Sequence, residues 1–134
     1  MNAVIGVSEP RRQALQAASQ PIPNPKSIRA LIDTGASVTC VDPSILTALN
    51  LSPTGNINIT TPSTGNSPVP MDQYDVFLAV PPADAGQSHL ILFTLPVVSC
   101  ELLSQGFHAL IGRDVLAQCV FIYNGDSGWF TLAY

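Results

Sequence analysis

Ala30-Leu31-Ile32-Asp33-Thr34-Gly35-Ala36-Ser37 passes from an apolar run straight into turn chemistry. Ile28 to Asp33 reads as a buried strand, short and apolar with β-branched isoleucines. It ends by delivering one carboxylate, one hydroxyl and one glycine into a tight turn. Asp-Thr-Gly is in its own right a natural way to end a strand. The triplet occurs once in the chain, so any chemistry that needs two such carboxylates needs two chains.

On the N-terminal side, Ala3 to Val7 reads as a first strand. Ser8-Glu9-Pro10 then opens a helix, with Ser8 as cap and Pro10 at the first helical position. Arg11 to Ser19 continues it with good helix formers, placing Ala14, Leu15 and Ala18 on one face. Pro21, Pro23 and Pro25 end the helix and stiffen the loop.

On the C-terminal side, Val38 to Val41 alternates as a strand, and Asp42-Pro43-Ser44 caps a short helix running to Leu49. Ile57 to Thr60 and Tyr74 to Val80 read as strands flanking Thr61 to Pro68, a hairpin with a long polar tip. Leu90 to Val98 is a further strand. Leu110-Ile111-Gly112 ends another buried strand, and Arg113 to Gln118 is a short helix. Val120 to Tyr123 and Trp129 to Tyr134 form a last hairpin across Asn124 to Gly128. The pattern predicts a mostly β chain, a small and mostly antiparallel barrel or sandwich with two or three short helices.

The length of 134 residues suits one domain with a single core. Charged residues make up only 10%, against about a quarter in an average domain. With 12 prolines, this argues against long helices and coiled coils. A net charge of −4 with five scattered Lys and Arg argues against nucleic acid as a partner. The apolar runs fall far short of the ~20 residues a membrane span needs, and the first residues lack the pattern of a signal peptide. Cys40, Cys100 and Cys119 cannot all pair within one chain and match no zinc spacing. They read as thiols in a reducing compartment, and the expected location is cytoplasmic. His89 and His108 read as loop or strand-end residues.

The second signal lies near the C-terminus. Ala109 to Leu116 repeats the pattern of an apolar strand running into Gly112-Arg113-Asp114 and a helix. Together with Ala30 to Ser37, this segment resembles the retropepsins, the single-domain aspartic proteases of retroviruses and their cellular and bacterial relatives. The helix from Pro43 to Leu49 and the strand from Cys119 to Tyr123 look more like the bacterial and cellular branch than the short viral enzymes. The resemblance covers roughly residues 28–134. Residues 1–27, with their strand and helix, match less well.

The resemblance implies a retropepsin-like acid-protease barrel spanning residues 1–134, and an aspartic endopeptidase that works as a homodimer on protein or peptide substrates. Two Asp33 carboxylates brought about 3 Å apart share one proton. The ionised member acts as general base on a water, and the protonated one polarises the scissile carbonyl. Thr34 matches the threonine that bonds across the two-fold axis, and Gly35 allows close backbone approach to the carboxylate. Ala36 and Ser37 are expected to line the cleft. Residues 57–76 are expected to be a flap, with Thr61, Thr64, Gly65 and Asn66 over the substrate. Gly112, Arg113 and Asp114 form the structural second motif. No metal or cofactor is implied. In viral members the matching arginine pairs with an aspartate four residues past the catalytic one. Here that position is Ser37, so the pairing is absent or moved, with Asp42 as a candidate substitute. Asp114 is expected to cap or salt-bridge at the helix start rather than serve as a second acid. Trp129 to Tyr134 and Ala3 to Val7 are the candidate dimer strands. The alternative reading is a catalytically silent module of the same fold that binds peptides or dimerises.

Overall fold

A computed structural model describes residues 1–60, 67–82 and 88–134. Nine strands and three short helices occur among them. They are β1 (Asn2–Val7), α1 (Glu9–Ala17), β2 (Lys26–Ile32), β3 (Cys40–Val41), α2 (Pro43–Ala48), β4 (Gly55–Ile59), β5 (Val69–Val80), β6 (Leu90–Ser99), β7 (Ala109–Ile111), α3 (Arg113–Leu116), β8 (Val120–Asn124) and β9 (Trp129–Ala133).

Six strands close on themselves in the order β1-β2-β7-β3-β6-β5, with β1 returning to β5. Closure works because β1 is antiparallel to both neighbours, Ala3 lying opposite Ile28 and Gly6 opposite Phe77. Strand alternation then sends Ala3, Ile5, Ile28 and Ala30 inward, and Arg29 and Leu31 outward. The inward residues meet Val41, Val76, Leu78, Val97, Ala109 and Ile111, with Leu46 and Leu49 from the α2 segment and Val115 from α3. Each large aliphatic side chain buried there contributes about 1.5–3 kcal/mol.

The barrel is less antiparallel than the sequence pattern suggests. β2 runs parallel to β7, and β3 parallel to β6. The β2–β7 register sets Ile32 beside Ile111. The two motifs leave the barrel side by side for that reason.

Local details depart from expectation in physically clear ways. The strand at 38–41 shortens to Cys40–Val41, because the Thr39 N–H leaves the ladder for Asp114 Oδ2 at 2.8 Å. Ser8 precedes α1 but makes no side-chain capping bond. Of the α1 face, Leu15 alone is buried, and Ala14 and Ala18 stay exposed. A 3-10 turn at Leu103–Gln105 lies where sequence signals none.

β4 and β5 pair antiparallel up to Ile59 opposite Val69. That is the base of the hairpin read as a flap. β8 and β9 form a separate two-stranded sheet. No helix among the described residues is long and apolar enough to cross a membrane.

Candidate active site

The turn after β2 is tied at its first and last residues to the segment after β7. The Asp33 N–H donates to the Ile111 carbonyl at 2.9 Å, and the Arg113 N–H donates to the Ala36 carbonyl at 2.9 Å. Gly112 sits between these bonds, buried against the backbone of Val38. A methyl group on Gly112 would lie 2.7 Å from the Val38 carbonyl carbon. Glycine is therefore required by space rather than by dihedral angle, its φ of −88° being open to any residue.

Within the turn, Asp33 Oδ1 accepts from the Gly35 N–H at 2.8 Å and from the Ala36 N–H at 3.3 Å. One carboxylate oxygen is thus oriented by the main chain. Oδ2 has no hydrogen-bond partner among the described residues. Asp33 and Ala36 are half-buried, and Thr34, Gly35 and Ser37 are exposed. The carboxylate is held firmly, and the face beside it is open.

Beneath the turn lies a buried polar knot that local sequence reasoning missed. Thr39, fully buried, donates its hydroxyl to Asp114 Oδ1 at 2.7 Å and accepts the Gly112 N–H at 3.0 Å. Asp114 Oδ2 takes the Thr39 N–H, and Oδ1 also accepts from the Val115 N–H at 2.9 Å. Asp114 therefore serves the helix start, as its position suggests, and also clamps the exit of the active turn. The partners lie 75 residues apart in sequence. Only the Asp at the head of α3 gave a signal.

The arginine question resolves differently from expectation. Arg113 Nη2 donates to Ser37 Oγ at 2.7 Å. The contact is a hydrogen bond to a neutral hydroxyl and not an ion pair. Asp42 is not the substitute. It is buried and accepts from the Ser44 N–H and hydroxyl through Oδ1, and from Leu102 and Leu103 N–H through Oδ2. Burial pushes the Asp42 carboxyl up, but the bonds from Ser44, Leu102 and Leu103 outweigh it and hold the group at about 2.

Cys40, on the short strand beyond the turn, directs its thiol at the Val38 carbonyl at 3.8 Å. The interaction with the neighbouring Cys100 thiol, burial and the negative charges of Cys100, Asp114 and Asp33 push the Cys40 thiol up. The same interaction draws Cys100 down to about 7 against the opposing effect of burial. All three cysteines are unpaired. No group of three His, Cys, Asp or Glu converges among the described residues to hold a metal.

A groove of about 430 Å³ opens beside Thr34, not over Asp33, with Arg29, Leu31, Phe121, Tyr123 and Phe130 among its walls. Arg29 stacks over the Phe107 ring at 5.7 Å. The adjoining β8–β9 hairpin leaves Val120 at 62%, Ile122 at 54%, Tyr123 at 63% and Trp129 at 51% exposed. That is a large apolar surface for one small sheet.

The geometry brings together Asp33, Thr34, Gly35, Ala36 and Ser37 with Gly112, Arg113 and Asp114. Thr61, Thr64, Gly65 and Asn66 lie outside the described residues. Comparison with protein-family models and with curated proteins finds no match to this chain.

Proposed function

We propose that this chain is one half of a retropepsin-like aspartic endopeptidase, completed by a second copy. The observation that carries the reading is the state of Asp33. Its Oδ1 is fixed by two backbone N–H groups, while the residues around it, Thr34 above all, face outward. An oriented carboxylate next to an exposed hydroxyl at the rim of a barrel is half of a dyad. A two-fold axis through this turn brings the second half.

In that dimer the paired carboxylates hold one proton between them. The ionised Asp33 takes a proton from a water lying between the two. The water oxygen bonds to the scissile carbonyl carbon, and the protonated Asp33 donates to the carbonyl oxygen. As the tetrahedral adduct collapses, one of its hydroxyls returns a proton to the now ionised Asp33, the other Asp33 gives the proton it took from water to the departing amine, and the C–N bond breaks. Substrate enters as an extended strand, beneath the hairpin whose base is β4–β5. The exposed apolar side chains of β8–β9 supply surface that a second copy covers. Three unpaired thiols support a reducing compartment, and the cytoplasm is the location we adopt.

The test is digestion of a diverse peptide mixture across the acid to neutral range, read by mass spectrometry, with Asp33→Asn alongside. Products that form with wild type and vanish with the variant support the reading. Absence of products from folded, dimeric wild type rejects it in favour of a silent binding module.

A further inference from the structure

Arg113 carries a charge that nothing around it answers. Among the described residues it makes no ion pair; the pair found there joins Arg12 to Glu9. The neighbouring acids are engaged with other donors: Asp33 through Oδ1 with Gly35 and Ala36, Asp42 with Ser44, Leu102 and Leu103, and Asp114 with Thr39. Yet Arg113 is not loose. Its main-chain N–H is on the Ala36 carbonyl at 2.9 Å and its Nη2 is on Ser37 Oγ at 2.7 Å. A guanidinium has five N–H donors in a planar fork. Ser37 uses one, and the residue is exposed. An oriented, unneutralised guanidinium is suited to a carboxylate, which it can bind through two parallel bonds.

Resting on the endopeptidase reading above, we propose that Arg113 is a specificity-determining residue that binds an acidic side chain of the peptide substrate. Arg113 is bonded to Ala36 and Ser37, just past Asp33 in the chain, so its charge lies beside the turn that carries the proposed catalytic acid. Two-fold symmetry places one Arg113 on each side of the dyad. The preference for Glu or Asp therefore appears on both flanks of the cleaved bond at matching distances.

The experiment uses peptides cleaved by the wild-type dimer, each synthesised as a Glu and a Gln form at the flanking position. The ratio of kcat/KM for the two forms is taken within one enzyme preparation, so the folded or dimeric fraction cancels. Wild type should favour Glu by about three- to tenfold at low salt, shrinking as salt rises, as expected for an exposed charge pair. Arg113→Gln should bring the ratio to about one, and Arg113→Lys should keep part of it. A ratio of one in active wild type, or an unchanged ratio in Arg113→Gln, overturns this assignment and leaves the endopeptidase standing. An Arg113→Gln variant that stays folded but no longer dimerises also overturns it, because a carboxylate of the second copy then answers the charge. Absence of cleavage by folded, dimeric wild type removes the endopeptidase and this assignment together.

Discussion

The Thr39 hydroxyl and the Asp114 carboxylate lie 2.7 Å apart, and through them the exit of the Asp33 turn is joined to the head of α3. The same hydroxyl accepts the Gly112 N–H. Thr39→Val keeps the shape and removes both bonds at once. The buried Gly112 N–H is then unsatisfied and Asp114 Oδ1 keeps only the Val115 N–H, at a cost of about 2–3 kcal/mol. Chemical denaturation should show the unfolding free energy falling by that amount, and Thr39→Ser should recover most of it. A Thr39→Val protein as stable as wild type would mean that the knot contributes nothing.

Gly112→Ala tests the same junction by volume instead of polarity. Its methyl group would lie 2.7 Å from the Val38 carbonyl carbon and 2.8 Å from the oxygen. These are backbone atoms and cannot swing aside, so the two motifs must separate. A loss of about 3 kcal/mol is expected, together with loss of peptide cleavage, because the Asp33 turn moves. Full activity in Gly112→Ala would show that the contact is not needed to place Asp33.

Much of this was legible from local signals. The apolar run into Asp33 gave a strand that does bury Ile28 and Ala30, and Asp42-Pro43-Ser44 gave a cap that does form. The head of α3 was legible for the same reason. What stayed hidden depends on partners distant in sequence. Nothing near Thr39 points to residue 114. Nothing near Leu102 says that its N–H finds Asp42 Oδ2 60 residues away, and so the 3-10 turn was missed. The parallel pairing of β2 with β7 is a property of the closed barrel, not of either strand. Ser37 reads in the sequence only as a position without an acid; the side-chain geometry shows that its hydroxyl bonds Arg113.

Asp42 gives a pH dependence with a definite sign. Its carboxyl is held at about 2 in the folded protein, below the ~3.9 of an unfolded aspartate. The unfolded chain therefore takes up the proton first. The stability from Asp42 is complete above about pH 4 and is lost as pH falls through about 2. Asp42→Asn turns an amide NH2 toward N–H donors. It should cost about 2–3 kcal/mol at neutral pH and flatten this part of the acid limb in denaturation curves. Parallel acid limbs in wild type and variant would contradict the assignment.

Cys100, held at about 7 by the Cys40 thiol, should be the first cysteine alkylated at neutral pH. Burial pushes Cys119 the other way. Cys100 should therefore react faster than Cys119, and Cys40→Ala should erase most of the difference. Mass spectrometry of partially alkylated protein reads this directly. Modification of Cys119 ahead of Cys100 would rule it out.

The central claim is that one active site is shared by two chains, each giving one Asp33. Mixing equal amounts of wild type and Asp33→Asn under conditions of subunit exchange measures this most directly. If the dyad spans the dimer, mixed dimers are dead, and random assortment leaves about a quarter of the activity of the same total amount of wild type. If each chain carries a complete site, about half remains, and the account fails.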